Sequence, residues 1–156
     1  MLPELRKSLK NDFPFLLGGP WENHLGDSSG WEPLIRELAF KICQPLEFWW
    51  AECDEANQTE LGPPRIPRLA VETGGLRVFM TWIPKDLDVK ITKIINQIEQ
   101  KSFEICIDCG QSGTLRVEDE IVTLCDDCAG VDDDDEYDSW DDLNDNEFME
   151  SSQWNN

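Results

Sequence analysis

Apolar positions recur at helical spacing in two places along the chain. Trp31, Leu34, Ile35, Leu38, Ala39 and Ile42 fall three and four residues apart, and so do Leu87, Ile91, Ile94, Ile95 and Ile98. Each set makes one apolar stripe on an amphipathic helix. For the first, Ser29-Gly30-Trp31-Glu32 predicts a capping box, with Ser29 as the cap and Glu32 closing it. Pro33 then falls in the first turn, where its missing N–H costs nothing. That helix is expected to end near Cys43, before Pro45. The second is expected to start at Asp86 or Asp88 and to run through Phe103. A shorter helix is expected over residues 3–10, PELRKSLK.

Other stretches read differently. LLGGPWENHLGDSSG, residues 16–30, has the Gly, Asp and Ser content of a loop. LEFWWAEC, residues 46–53, is aromatic and fits strand or helix, with strand the expectation, and DEANQTELGPPRIP, residues 54–67, reads as a Pro-rich loop or insertion. In RLAVETGGLRVFMTWI two alternating runs flank Thr73-Gly74-Gly75. Leu69 and Val71 lie on one arm, and Val78, Met80 and Trp82 on the other, which is a hairpin signal. The order predicts an α+β fold: two main helices packed on one face of a small antiparallel sheet, over residues 1–104.

Cysteine changes the picture at residues 105–130. CIDCGQSGTLRVEDEIVTLCDDC holds two Cys-x-x-Cys pairs separated by fifteen residues. Each pair lets a tight turn aim two sulfurs at one point, and two turns complete a tetrahedron. Cys106, Cys109, Cys125 and Cys128 therefore have the spacing of a zinc ribbon. Gly110 stands where such a knuckle favours a residue without Cβ. Thr114, Val117, Val122 and Thr123 favour a short hairpin turning near Asp119. A redox dithiol would bring one pair and a βαβ pattern, which is missing. Iron accepts the same four thiolates, so the ligands leave zinc and iron both open. Four sulfurs leave no open coordination position, so the expected role of Zn2+ is structural, contributing on the order of 10 kcal/mol to folding. Cys43 and Cys53 read as buried free thiols.

Charge narrows the partners. The 156 residues carry 13 Lys and Arg against 33 Asp and Glu, a net of −20. Eleven of those acids, and no base, lie in residues 131–156, leaving 22 acids and 13 bases before them. That last segment is expected to be a disordered acidic-aromatic tail, its acids punctuated by Tyr137, Trp140, Leu143, Phe148, Met149 and Trp154. Direct nucleic-acid binding is disfavoured, because phosphate contacts need clustered Lys and Arg. A basic protein surface is the better match. No apolar run is long enough for a bilayer, and the N-terminus lacks a secretory pattern, so a cytoplasmic setting is expected.

Catalytic signals are weak. His24 is the only histidine, with no nucleophile elbow or metal motif beside it, and reads as a loop residue. Neither Gly18-Gly19 nor Gly74-Gly75 has phosphate-loop spacing. Trp21, Trp31, Trp49, Trp50 and Trp82 read as core or core-edge residues rather than a pocket. Arg77 fits either an ion pair or a partner contact.

GDSSGWEPLIREL, VETGGLRVFM and CIDCGQSG with TLCDDC together resemble a group of small uncharacterised bacterial and phage-borne proteins. Those share a Gly-Trp helix start, a Gly-x-Leu-Arg hairpin and a C-terminal Cys-x-x-Cys zinc knuckle. The likeness spans roughly residues 15–130, and VETGG replaces the group's basic hairpin. The resemblance implies a zinc-stabilised α+β domain and no particular activity. The combined expectation is a non-enzymatic, acidic, zinc-stabilised inhibitor of a basic protein, either an immunity protein for a nuclease-type toxin or a phage-encoded inhibitor of a host nucleic-acid enzyme. The rival expectations are a zinc-ribbon adaptor of transcription or replication, and an enzyme built on His24.

Overall fold

The computed structural model describes residues 1–117 and 119–130, so the expected acidic-aromatic tail at 131–156 lies outside the described residues. The fold is α+β. Helices α1 (Pro3–Asp12), α2 (Pro14–Leu17), α3 (Glu32–Ala51) and α4 (Glu55–Leu61) precede a hairpin of β1 (Arg68–Glu72) and β2 (Gly75–Phe79). Helix α5 (Asp88–Ser102) follows, then a second hairpin, β3 (Thr114–Val117) and β4 (Ile121–Leu124), and the short α6 (Asp126–Ala129). The two hairpins form separate two-stranded sheets.

Helix α3 is the axis of the core. It buries Leu34, Ile35, Leu38, Ala39, Ile42, Cys43 and Leu46, and α5 lays Ile91, Ile95 and Ile98 against it. The expected end before Pro45 and the expected strand at 46–53 are both overturned: the helix runs through Pro45 to Ala51. A proline inside a helix costs about 3 kcal/mol. Continuing returns more, since Leu46, Trp49 and Trp50 extend the stripe by threes and fours. Leu46 is fully buried, a gain of about 1.5–3 kcal/mol. Trp49 and Trp50 meet Trp82 with ring centroids 5.5 and 6.1 Å apart, and each such pair adds about 0.5–1.5 kcal/mol.

The capping box is also corrected. Ser29–Trp31 form a 3-10 turn, and α3 starts at Glu32 with no side-chain cap. Ser29 Oγ instead accepts from the Leu2 N–H at 3.0 Å, and Glu32 accepts from Arg36 at 2.7 Å. Likewise α5 begins at Asp88 without a side-chain cap. The expected loop at 16–30 is more ordered in its packing than its composition implies, because Leu16, Leu17, Trp21 and Leu25 all enter the core. Within the expected loop at 54–67, α4 lets Gln58 Nε2 donate to the Trp50 and Cys53 carbonyls at 2.8 and 3.2 Å. These bonds tie α4 to the end of α3, where the Trp50 carbonyl also accepts from the Cys53 N–H.

The first hairpin turns on Thr73 and Gly74, both at positive φ (50° and 82°), the primed geometry that matches strand twist. Its outer edge is closed by α5 rather than by a third strand. The Leu76 N–H donates to Ser102 Oγ at 2.7 Å, and the Val78 N–H to Glu99 at 2.9 Å. Glu99 also accepts from Arg77 at 2.7 Å, which assigns Arg77 to an internal ion pair. Among the described residues no helix is long and apolar enough to cross a membrane.

Candidate metal centre

The C-terminal unit is a clasp of two knuckles joined by a hairpin. In the first knuckle the Gly110 N–H reaches back to the Cys106 carbonyl at 3.0 Å, and Gly110 takes φ +78°, as its position predicts. The β3–β4 register, from Thr114 opposite Leu124 to Val117 opposite Ile121, carries the chain back. It delivers Cys125 to the first knuckle. There α6 makes the second: the Cys128 N–H donates to Cys125 Sγ at 3.4 Å, and the Ala129 N–H to the Cys125 carbonyl at 3.0 Å.

All four sulfurs lie within 4.8 Å of one another, and Cys109 Sγ is 3.5 Å from Cys125 Sγ. A single ion holding four thiolates at about 2.3 Å sets its sulfurs about 3.8 Å apart, so the cluster has the size of one tetrahedral site. Its electrostatics point the same way. Burial raises the Cys106 thiol, but the backbone N–H groups of Cys109, Cys125 and Asp108 outweigh it and bring it down to about 6. The Cys109 thiol, although helped by the Gln111 N–H, ends above its ordinary range through burial and the Cys125 and Cys106 sulfurs. Cys128 is pushed up too, chiefly by the sulfurs of Cys125 and Cys109. One thiolate is thus provided for, and further ones repel it until a cation sits among them. Cys106, Cys109, Cys125 and Cys128 together could hold a metal ion and would fill its coordination sphere.

Residues far upstream seat the clasp. The Gly30 N–H donates to the Ile107 carbonyl at 2.8 Å. A Cβ on Gly30 would stand 2.3 Å from the Cys106 carbonyl oxygen and 2.4 Å from the Gly110 nitrogen. Trp31 Nε1 donates to the Ile105 carbonyl at 3.0 Å. Buried Thr123 donates its hydroxyl to the Gly74 carbonyl at 2.8 Å. Sequence reasoning placed Gly30 and Trp31 in a helix start and Gly74 in a turn. Their second role depends on pairing across the chain, for which a single sequence carries no local signal.

The other candidates lie apart from the sulfurs. Cys43 is buried, its thiol pushed up to about 12 by burial and by Glu47. Cys53, expected to be buried, is partly exposed at the end of α3, its thiol raised by desolvation and by Asp54. Trp21 and Trp31 are core residues, and Trp49, Trp50 and Trp82 form a half-buried cluster. His24 is exposed and bridges to Ala70 through its backbone. No protein-family model, curated protein or solved structure matches the chain.

Proposed function

We propose that this is a non-enzymatic binding protein, held by a structural zinc ion, that engages and inhibits a basic protein partner. The observation that carries the reading is where the charge lies. Residues 1–103 hold 15 acids and 12 bases, whereas residues 104–156 hold 18 acids and one base. Nearly all of the net charge therefore belongs to the clasp and the segment after it. A divalent ion bound by four thiolates leaves its own centre net negative as well. Such a surface attracts a protein evolved to grip phosphate, and competes with nucleic acid for it. An immunity protein for a nuclease-type toxin and a phage-encoded inhibitor of a host nucleic-acid enzyme both have this form, and a cytoplasmic setting suits both. Four thiolates in two knuckles suit a closed structural zinc site, and iron fits the same ligands.

The test is functional capture. Immobilised full-length protein should retain a basic nucleic-acid enzyme at low salt, release it as salt rises, and suppress its activity in solution. Retention of no such enzyme, or of one whose activity is unchanged, overturns the reading. A second reading, an adaptor that docks through the ribbon hairpin, is favoured by Val117, exposed at 69%, with Leu115 and Ile121 half exposed beside the Gly74 turn. On that reading, polar replacements there would weaken capture several-fold while leaving the salt dependence of what remains unchanged.

A further inference from the structure

A cleft of about 450 Å³ runs between the body and the clasp. The segment His24–Asp27 and Val71 form one wall; Ile107, Asp108 and β4 form the other. The deep residues are apolar, with Leu25 and Ile107 buried and Val71, Val122 and Leu124 half-buried. The outer ones are carboxylates: Asp27, Asp108 and Glu120, all exposed. Among the described residues no lysine or arginine lines the cleft, and at its edge Arg6 Nη2 donates to the Gly26 carbonyl at 3.4 Å. Asp27 meets the ammonium of Met1 at 3.6 Å. Asp108 and Glu120 make no ion pair among the described residues, and Arg116, the one base of the clasp, turns instead to Asp126.

We propose that this cleft is the docking site for a segment of the basic partner, which inserts a lysine or arginine side chain. The proposal rests on the reading of the protein as a binder of a basic partner. An apolar floor under an acidic rim is complementary to these side chains in particular. Their methylene stems pack on apolar surface while the head stays at the edge. There it meets carboxylates at charge-assisted hydrogen-bonding range. One wall belongs to the clasp, so the cleft exists only while the four sulfurs are drawn together.

Acetyl-tetraarginine amide is the probe, titrated into metal-loaded full-length protein and followed through backbone amide shifts. Saturable binding centred on Leu25, Val71 and Val122 is expected. Asp108→Asn with Glu120→Gln should weaken it at least ~5-fold. Glu55→Gln with Glu60→Gln removes the same charge from α4 and should weaken it less than about twofold, because the effect is screened over distance. Equal losses in both pairs, or shifts centred elsewhere, overturn the cleft. If binding survives the cleft pair but is lost on Asp132→Asn, Asp133→Asn, Asp134→Asn and Asp135→Asn together, the cleft fails and the acidic binder stands. If the probe does not bind the full chain at low salt, both fail.

Discussion

The residue that most constrains the metal centre is not one of its ligands. Gly30 lies 76 positions before Cys106 in the numbering, yet its missing Cβ is what lets the first knuckle close. The atoms a side chain would strike belong to the Cys106–Gly110 backbone, so no rotamer change relieves the clash. Gly30→Ala is expected to destabilise by about 1–3 kcal/mol, the usual cost of overpacking, and to lower retained metal per chain. Urea unfolding with metal analysis after dialysis measures both; an unchanged metal content would contradict the seating role. At this scale the four cysteines were legible because a metal site is written in local spacing, Cys-x-x-Cys twice. Ser29 and Glu32 were misread for the converse reason. Their spacing fits a cap, but the hydroxyl is taken by Leu2 and the carboxylate by Arg36, and neither partner is visible locally.

Among the elements, α3 shows how a strong punctuation mark can mislead. Pro45 and the aromatic run after it suggested a helix end and a strand. The stripe of Leu46, Trp49 and Trp50 carries the same period across the proline, and the burial it offers exceeds the cost of one lost hydrogen bond. The hairpin at 68–79 and α5 were legible, since alternation around a Gly-containing turn and a long isoleucine stripe are both local patterns. How α5 closes the β2 edge was not, because Glu99 reads as an ordinary polar residue on a helix. Pro45→Ala restores a donor to the Lys41 carbonyl. After allowing for the greater freedom of the unfolded chain, it should stabilise the protein by about 2 kcal/mol. Thermal unfolding would register this as a raised Tm, and a lowered Tm would mean that the proline sets a bend the core requires.

For the molecule as a whole, the clasp is joined to the body by hydrogen bonds of Gly30 to Ile107, Trp31 to Ile105 and Thr123 to Gly74, and by Ile107, which enters the core with Ile105 and Leu124 packed on it. Its own hairpin has only four residues per strand, and an isolated two-stranded hairpin is marginal in water. A cation held by the four thiolates would supply much of its cohesion. Chelation should lower the Tm by at least about 10 °C and accelerate amide exchange in β3 and β4 before α3. Calorimetry and hydrogen exchange on the same sample check this, and a chelated protein with native exchange in β4 would refute it. The α+β class was legible from the order of elements. So was the separate C-terminal hairpin, from the spacing of the cysteine pairs; the cleft between body and clasp arises only from three-dimensional docking.

Those same ties have a consequence for biosynthesis. The hydrogen bonds from Trp31 to Ile105 and from Thr123 to Gly74 span 74 and 49 positions. During translation the earlier member of each pair leaves the ribosome well before its partner. The Gly30 and Gly74 segments have thus emerged before the last two sulfurs, so any ion capture by all four would come late in synthesis. If the four sulfurs hold a metal, a nascent chain starved of it would have its helices formed while the two knuckles stay apart.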